Sequence, residues 1–255
     1  MRTRCTGRER KIDLQDPILI IGASGAIGSA IAQTLGESGR PLLLHGRRNN
    51  SKLRNLSRHL SAPSFTGDLS REDDARTFTA SVIEKHPILS GIVFCMARPF
   101  PHRLALRTDW RVFQEQIDTQ LKALHTTLQA LKPTLEKRLD GGRVIVLSTE
   151  YVLGAPPQKI APYIAAKAAL TAYCRVLAQE LLKAKIRVHI LAPGMVRSAL
   201  TADLPEQYLE MVEAEMPEAK MTTAKDVADV CAMLMSDAAD PLYGTVIPVS
   251  RATRR

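Results

Sequence analysis

Short, wholly apolar runs recur along the chain, separated by longer stretches in which apolar residues return every three or four positions. Pro17-Ile-Leu-Ile-Ile-Gly22, Pro41-Leu-Leu-Leu-His45, Gly91 to Met96, Val144 to Leu147, Val188 to Leu191 and Thr245 to Val249 have the length and composition of strands buried on both faces. The segments between them carry helical periodicity. Strands alternating with helices predict an α/β fold, a doubly wound parallel sheet with helices on both faces and a ligand crevice at the carboxyl ends of the strands. A chain of 255 residues with this pattern and no internal repeat reads as one domain over residues 17–250, flanked by basic tails at 1–16 and 251–255.

The first apolar run leads directly into Gly22-Ala23-Ser24-Gly25-Ala26-Ile27-Gly28, followed by a helix-like stretch from Ser29 to Ser38. Strand, glycine turn and helix in that order suit a pyrophosphate. Glycine permits the tight bend, the close approach of a phosphate and the packing of helix on strand, while the helix N-terminus offers free N–H groups. The second run ends in Gly46-Arg47-Arg48, where a carboxylate for a ribose 2′-hydroxyl would otherwise stand. Guanidinium groups fork onto phosphate, so Arg47 and Arg48 favour NADP(H) over NAD(H). Further on, Tyr163 and Lys167 stand four residues apart on one helix face. A tyrosine of pKa about 10 is a poor acid at neutral pH, and a neighbouring ammonium favours the phenolate.

Together these residues resemble the short-chain dehydrogenase/reductase family, and within it the 3-oxoacyl-[acyl-carrier-protein] reductase-like ketoreductases, from about Pro17 to Val249. The resemblance implies a Rossmann-type sheet of about seven strands in the order 3-2-1-4-5-6-7. It places the cofactor on Gly22, Ser24, Gly25, Ile27, Gly28, Arg47 and Arg48, with Asp68 and Leu69 of Gly67-Asp68-Leu69 at the adenine. Cys95 and Ala97 would follow the fourth strand, and Pro193, Gly194 and Val196 would lie beside the nicotinamide. Asp226-Val-Ala to Ser236-Asp-Ala-Ala and Tyr243 to Val249 resemble the closing helix and last strand. Tyr163 is then proton donor or acceptor, and Lys167 lowers its pKa and holds the nicotinamide ribose. The family hydroxyl that binds the substrate oxygen falls on Thr149, with Ser148 as the alternative; successive strand residues face opposite sides, so only one can serve. The segment from Ser198 to Met221 corresponds to the substrate lid, and the alanine-rich face Ala165, Ala168, Ala169, Ala172 to the helix that pairs subunits in a homodimer or homotetramer.

Several positions depart from the family pattern. Cys95-Met96-Ala97-Arg98 replaces Asn-Asn-Ala-Gly, Gln120 stands where the catalytic asparagine is expected, and Ser250-Arg251-Ala252 replaces the Asp-Gly-Gly associated with tetramer contacts. Gln120 retains an amide for a water-linked proton relay, one methylene further out. The Gly-x-x-Gly-x-x-Gly spacing and Ser148-Thr149-Glu150-Tyr151-Val152 resemble the extended, sugar-nucleotide branch, whereas the chain length and Pro193-Gly194 belong to the short branch.

The net charge of +9 suggests nucleic acid until it is located: +4 lies in Met1 to Lys11 and +3 in the last five residues, leaving +2 for the body. A nucleic-acid partner is therefore not expected; basic tails suit an acidic protein such as an acyl carrier protein. Cys5, Cys95, Cys174 and Cys231 lack metal spacing and the six histidines form no ligand group, so no metal is expected. The apolar runs are too short to cross a membrane. A cytoplasmic location follows, with an organelle address left open by the arginine-rich first dozen residues. Two functions fit: an NADPH-dependent ketoreductase, with β-ketoacyl thioesters as a candidate substrate class, or a catalytically weak nucleotide-binding subunit of a related assembly.

Overall fold

The computed structural model describes residues 16–251. Seven strands form one sheet: β1 (Ile18–Ile21), β2 (Leu42–Gly46), β3 (Ser64–Thr66), β4 (Gly91–Phe94), β5 (Arg143–Leu147), β6 (Arg187–Pro193) and β7 (Val246–Val249). Their order is β3-β2-β1-β4-β5-β6-β7, as expected, and every neighbouring pair is parallel. The register sets Ile21 level with both His45 and Phe94, so the turns after β1, β2 and β4 leave the sheet on one rim.

Alternation along each strand divides the core in two. Ile18, Ile20, Leu42, Leu44, Val93 and Ile145 pack on one side with Ile31 and Leu35 of α1 (Ala26–Glu37), Leu53 of α2 (Ser51–His59) and Val227 and Cys231 of α8 (Ala224–Leu234). Leu19, Ile21, Leu43, Ile92, Val144 and Val188 face the other side, against α3 (Glu72–Lys85), α5 (Ala123–Glu136) and α6 (Ala161–Glu180). Both faces of the inner strands are covered, which is why those sequences are continuous apolar runs. The exception is β3, whose three residues are exposed or half-buried at the sheet edge and form no apolar run. Between β4 and β5, α4 (Trp110–Ile117) passes through one π-helical turn, Asp118–Lys122, into α5.

Two polar clasps secure the periphery. Arg143 reaches Asp237 and Asp240, both at 2.7 Å, tying the start of β5 to the turn before β7. Arg251 bonds both oxygens of Asp226, at 3.2 and 2.7 Å, and Glu218 at 2.7 Å. Burial opposes ionisation of Asp226, but hydrogen bonds from Thr223 and Arg251 outweigh it and hold its pKa down to about 2. Asp226 also completes the capping box of α8 with Thr223, so the residue standing where the family has Asp-Gly-Gly instead fastens the chain end to a helix start. The remaining basic residues of the two tails, Arg2 to Lys11 and Arg254 with Arg255, lie outside the described residues.

Two core histidines make the fold acid-sensitive. Burial pushes His45 down to about 4, although Nε2 keeps the Gly67 carbonyl at 3.0 Å; burial and then Arg143 push His189 down to about 4 as well. Both pKa values are depressed on folding. The unfolded chain therefore binds protons from about pH 6.5 downwards while the folded one does not, and stability is lost as pH falls from there towards 4, at up to about 1.4 kcal/mol per pH unit for each histidine. Urea midpoints measured between pH 7.5 and 4.5 should decline accordingly, and His189→Leu should flatten part of that slope; a level profile contradicts this account.

Candidate active site

The turn after β1 is shaped by close contacts rather than by flexibility. Gly22 has φ of +84°, and a Cβ there would meet the Cys95 carbonyl oxygen at 3.0 Å. At Gly28 the added carbon would lie 2.3 Å from the Gly22 oxygen, so only glycine lets α1 start directly over the turn. Gly25 caps α1 without any side-chain hydrogen bond, which leaves the first-turn N–H groups directed outwards. Gly25, Ala26, Ile27 and Gly28 border a cavity of about 520 Å³. Gly22 and Ser24 support the turn from behind it, Ser24 lying beside Gly46 at the end of β2. Arg47 and Arg48 are exposed just beyond that end.

The same cavity is bordered by Ser148, Thr149, Tyr163 and Lys167. The two hydroxyls at the end of β5 part company. Ser148 Oγ pairs with Thr171 Oγ1 at 2.6 Å, inside the β5–α6 contact, whereas Thr149 is hydrogen-bonded to the Tyr163 hydroxyl. Lys167 is 2% exposed, and its Nζ donates to the Leu147 carbonyl while standing 5.8 Å from the centre of the Tyr163 ring. Burial pushes Lys167 down to about 8 and pushes Tyr163 up to about 12, with the Thr149 hydrogen bond working the other way on the phenol. The expectation that the lysine would lower the phenol's pKa is thus outweighed by desolvation of the phenolate.

Other expected residues take varied places. Cys95, Ala97, Pro193, Gly194 and Val196 border the cavity. Burial pushes the Cys95 thiol up to about 12, which disfavours its thiolate. Asp68 Oδ1 accepts from the Ser70 N–H and hydroxyl; burial opposes its ionisation, yet these bonds together with Arg47 and Arg98 hold its pKa below the usual carboxylate range. Leu69 packs into the core, so the 67–69 segment presents Asp68 and backbone rather than the leucine side chain. Gln120 lies in the π-helical turn, fully buried and not among the residues that border the cavity; its Nε2 donates to Gln116 Oε1 at 2.8 Å, and Gln116 Nε2 donates to the Arg98 carbonyl at 2.9 Å. The departures at 98 and 120 are therefore joined physically, and Arg98 also pairs with Glu115 at 3.8 Å.

Sequence reasoning missed Phe100, whose ring stacks on Tyr163 at 5.5 Å and 13°. An aromatic between Pro99 and Pro101 just after β4 was the available signal. His102 and Lys159 also border the cavity without having been expected there, together with Met195 of the Pro193-Gly194 segment and Tyr208 of the expected lid.

A dinucleotide fits this arrangement: a glycine turn too tight for a Cβ at Gly22 or Gly28, outward N–H groups of α1, two exposed guanidinium groups beyond β2, and a hydroxyl pair across the cavity. The family model described as enoyl-(acyl carrier protein) reductase matches residues 22–251. The chain belongs to the short-chain dehydrogenase/reductase family. It is an oxidoreductase by that membership. It is 32% identical to the 3-oxoacyl-[acyl-carrier-protein] reductase FabG of Rickettsia felis over 233 residues, 91% of this chain and 94% of that protein. An uncharacterized oxidoreductase of Bacillus subtilis, YmfI, is 29% identical over 238 residues, 91% of this chain and 96% of the other. Among solved structures, an RhlG/NADP active-site complex from Pseudomonas aeruginosa superposes with a TM-score of 0.86 at 25% identity, covering 93% of this chain and 96% of that one.

The glycine cradle of this short-chain dehydrogenase/reductase is directly testable. Gly28→Ala should weaken NADPH at least about tenfold, followed by nicotinamide fluorescence, because the α1 N-terminus is forced off the turn. Wild-type affinity in that variant places the nucleotide elsewhere.

Proposed function

We propose that the protein reduces a ketone to a secondary alcohol with NADPH, and that β-ketoacyl thioesters are its substrate class. The observation that carries this reading is the meeting of Thr149, Tyr163 and Lys167 on the wall of the cavity that the glycine turn opens into. NADPH, when bound, supplies the hydride. Exposed Arg47 and Arg48 are the residues suited to a 2′-phosphate, and the NADP complex of the Pseudomonas aeruginosa structure agrees with that choice.

The roles of the side chains follow from their protonation. A substrate carbonyl oxygen placed between the Thr149 and Tyr163 hydroxyls is polarised by both, and negative charge collects there as the carbonyl carbon is reduced. With its pKa pushed up to about 12, Tyr163 keeps its proton at neutral pH and is ready to give it to the far more basic alkoxide. The tyrosinate left behind forms 5.8 Å, ring centre to Nζ, from the Lys167 ammonium, which stabilises it. Gln120 Oε1 is buried without a protein donor, so it is suited to hold a water through which Tyr163 regains a proton by way of Lys167.

Lys159 at the cavity and exposed Arg103 and Arg107 on the segment that supplies Phe100 and His102 suit an acidic carrier, in keeping with the names of the Rickettsia relatives. The exposed Ala165, Ala168 and Ala172, with Val176 beside them, suit pairing of two copies along α6.

Mixing the enzyme with NADPH and 3-oxoacyl or 2-enoyl thioesters, then following nicotinamide absorbance, tests the reaction class: turnover is expected with the ketones. Tyr163→Phe should abolish it while NADPH affinity stays within about twofold; equal turnover in that variant would falsify the assignment. The reduction rate should hold steady below pH 7 and decline as Lys167 loses its proton near the value of about 8 that its burial sets. A rate that rises through that range removes the lysine from this role.

A further inference from the structure

A second cavity, also of about 520 Å³, adjoins the one that holds Thr149 and Tyr163. Tyr151, Pro157, Met195 and Tyr208 line both, so the two compartments adjoin along these side chains. The outer walls of the second come from the loop after β5 and from α7 (Glu206–Ala214) with the residues that follow it: Leu153, Pro156, Met211, Val212 and Met216.

The helix α7 presents more apolar surface than its packing consumes. Leu209 is its one buried residue, and Arg197 holds its ends through Glu206 at 2.6 Å and Glu213 at 3.6 Å. Tyr208, Met211 and Val212, at helical spacings of three and four, are left to line the cavity. Leu153, Tyr208 and Met211 are 40%, 38% and 52% exposed, an apolar patch that a ligand would cover. The charged residues of the second cavity's walls are Glu150 and Glu215, with no lysine or arginine among them, whereas the first cavity has Lys159. The rest of that lining is mainly apolar, which suits a neutral alkyl chain better than the charged phosphate of a pantetheine arm. Unbranched Met195, Met211 and Met216 can adapt their shape to such a chain.

We infer that the second compartment receives the distal part of the substrate's acyl chain, so that the enzyme selects medium- and long-chain 3-oxoacyl thioesters over short ones. This rests on the carbonyl-reduction reading above. The carbonyl sits at Thr149 and Tyr163, the thioester arm leaves on the Lys159 side, and the chain passes Met195 and Tyr208 into the second compartment.

The test compares pantetheine thioesters with 4-, 8- and 12-carbon 3-oxoacyl groups. In the wild type, kcat/KM should rise with length, by up to about fourfold for each methylene buried. Ala155→Phe and Val212→Phe each fill only the second cavity from a different wall; each should lower kcat/KM at least about tenfold for the 12-carbon substrate and leave the 4-carbon one within about twofold. A wild-type profile flat in chain length overturns the proposal, as does a loss shared equally by short and long substrates in both variants. Calorimetric titration of dodecanoyl pantetheine separates this from the reaction itself. Binding that Val212→Phe and Ala155→Phe weaken, with no turnover of any ketone, supports the compartment and sinks the reductase reading; turnover with binding insensitive to both variants does the reverse.

Discussion

The buried hydrogen bond from Lys167 Nζ to the Leu147 carbonyl is the contact on which the rest of the site depends. An ammonium that is 2% exposed is costly unless a partner is found, and the partner here is the last carbonyl of β5. That requirement fixes where α6 crosses the sheet. One helical turn earlier, Tyr163 is delivered to the hydroxyl of Thr149, and one turn later Thr171 is delivered to Ser148. A single desolvated cation thus fixes the helix and sets the partner of each neighbouring hydroxyl, Tyr163 for Thr149 and Thr171 for Ser148.

On the opposite side of the cavity the constraint is steric. The 2.3 Å that an added carbon at Gly28 would leave to the Gly22 oxygen means that α1 and the turn after β1 occupy one packed unit with no slack. The parallel register then brings this turn, the end of β4 and the end of β5 to one rim, so that nucleotide cradle and hydroxyl pair face each other without any loop having to travel. The departures of this chain from its family are absorbed locally. Gln120 reaches through Gln116 to the backbone of Arg98, and Arg251 turns the missing glycines into an ionic clasp on α8.

The segment around α7 is the least committed part. Exposed arginine–glutamate pairs hold α7, and such pairs contribute little individually, roughly 0–1 kcal/mol. The apolar side chains of Tyr208 and Met211 on this lightly held helix remain partly exposed.

Periodicity alone determined the strand and helix alternation, because strands buried on both faces must be apolar throughout, and the glycine turn and Tyr163/Lys167 pair were legible because their chemistry demands fixed local spacing. β3 was not legible: an exposed three-residue edge strand carries no such demand. Nor could spacing choose between Ser148 and Thr149, which are adjacent in sequence and differ only in which helix residue each one meets. The direction of the Tyr163 shift, the stacking of Phe100 and the second apolar compartment were likewise decided by tertiary structure, since desolvation and cavity shape arise only when segments remote in sequence close around one another.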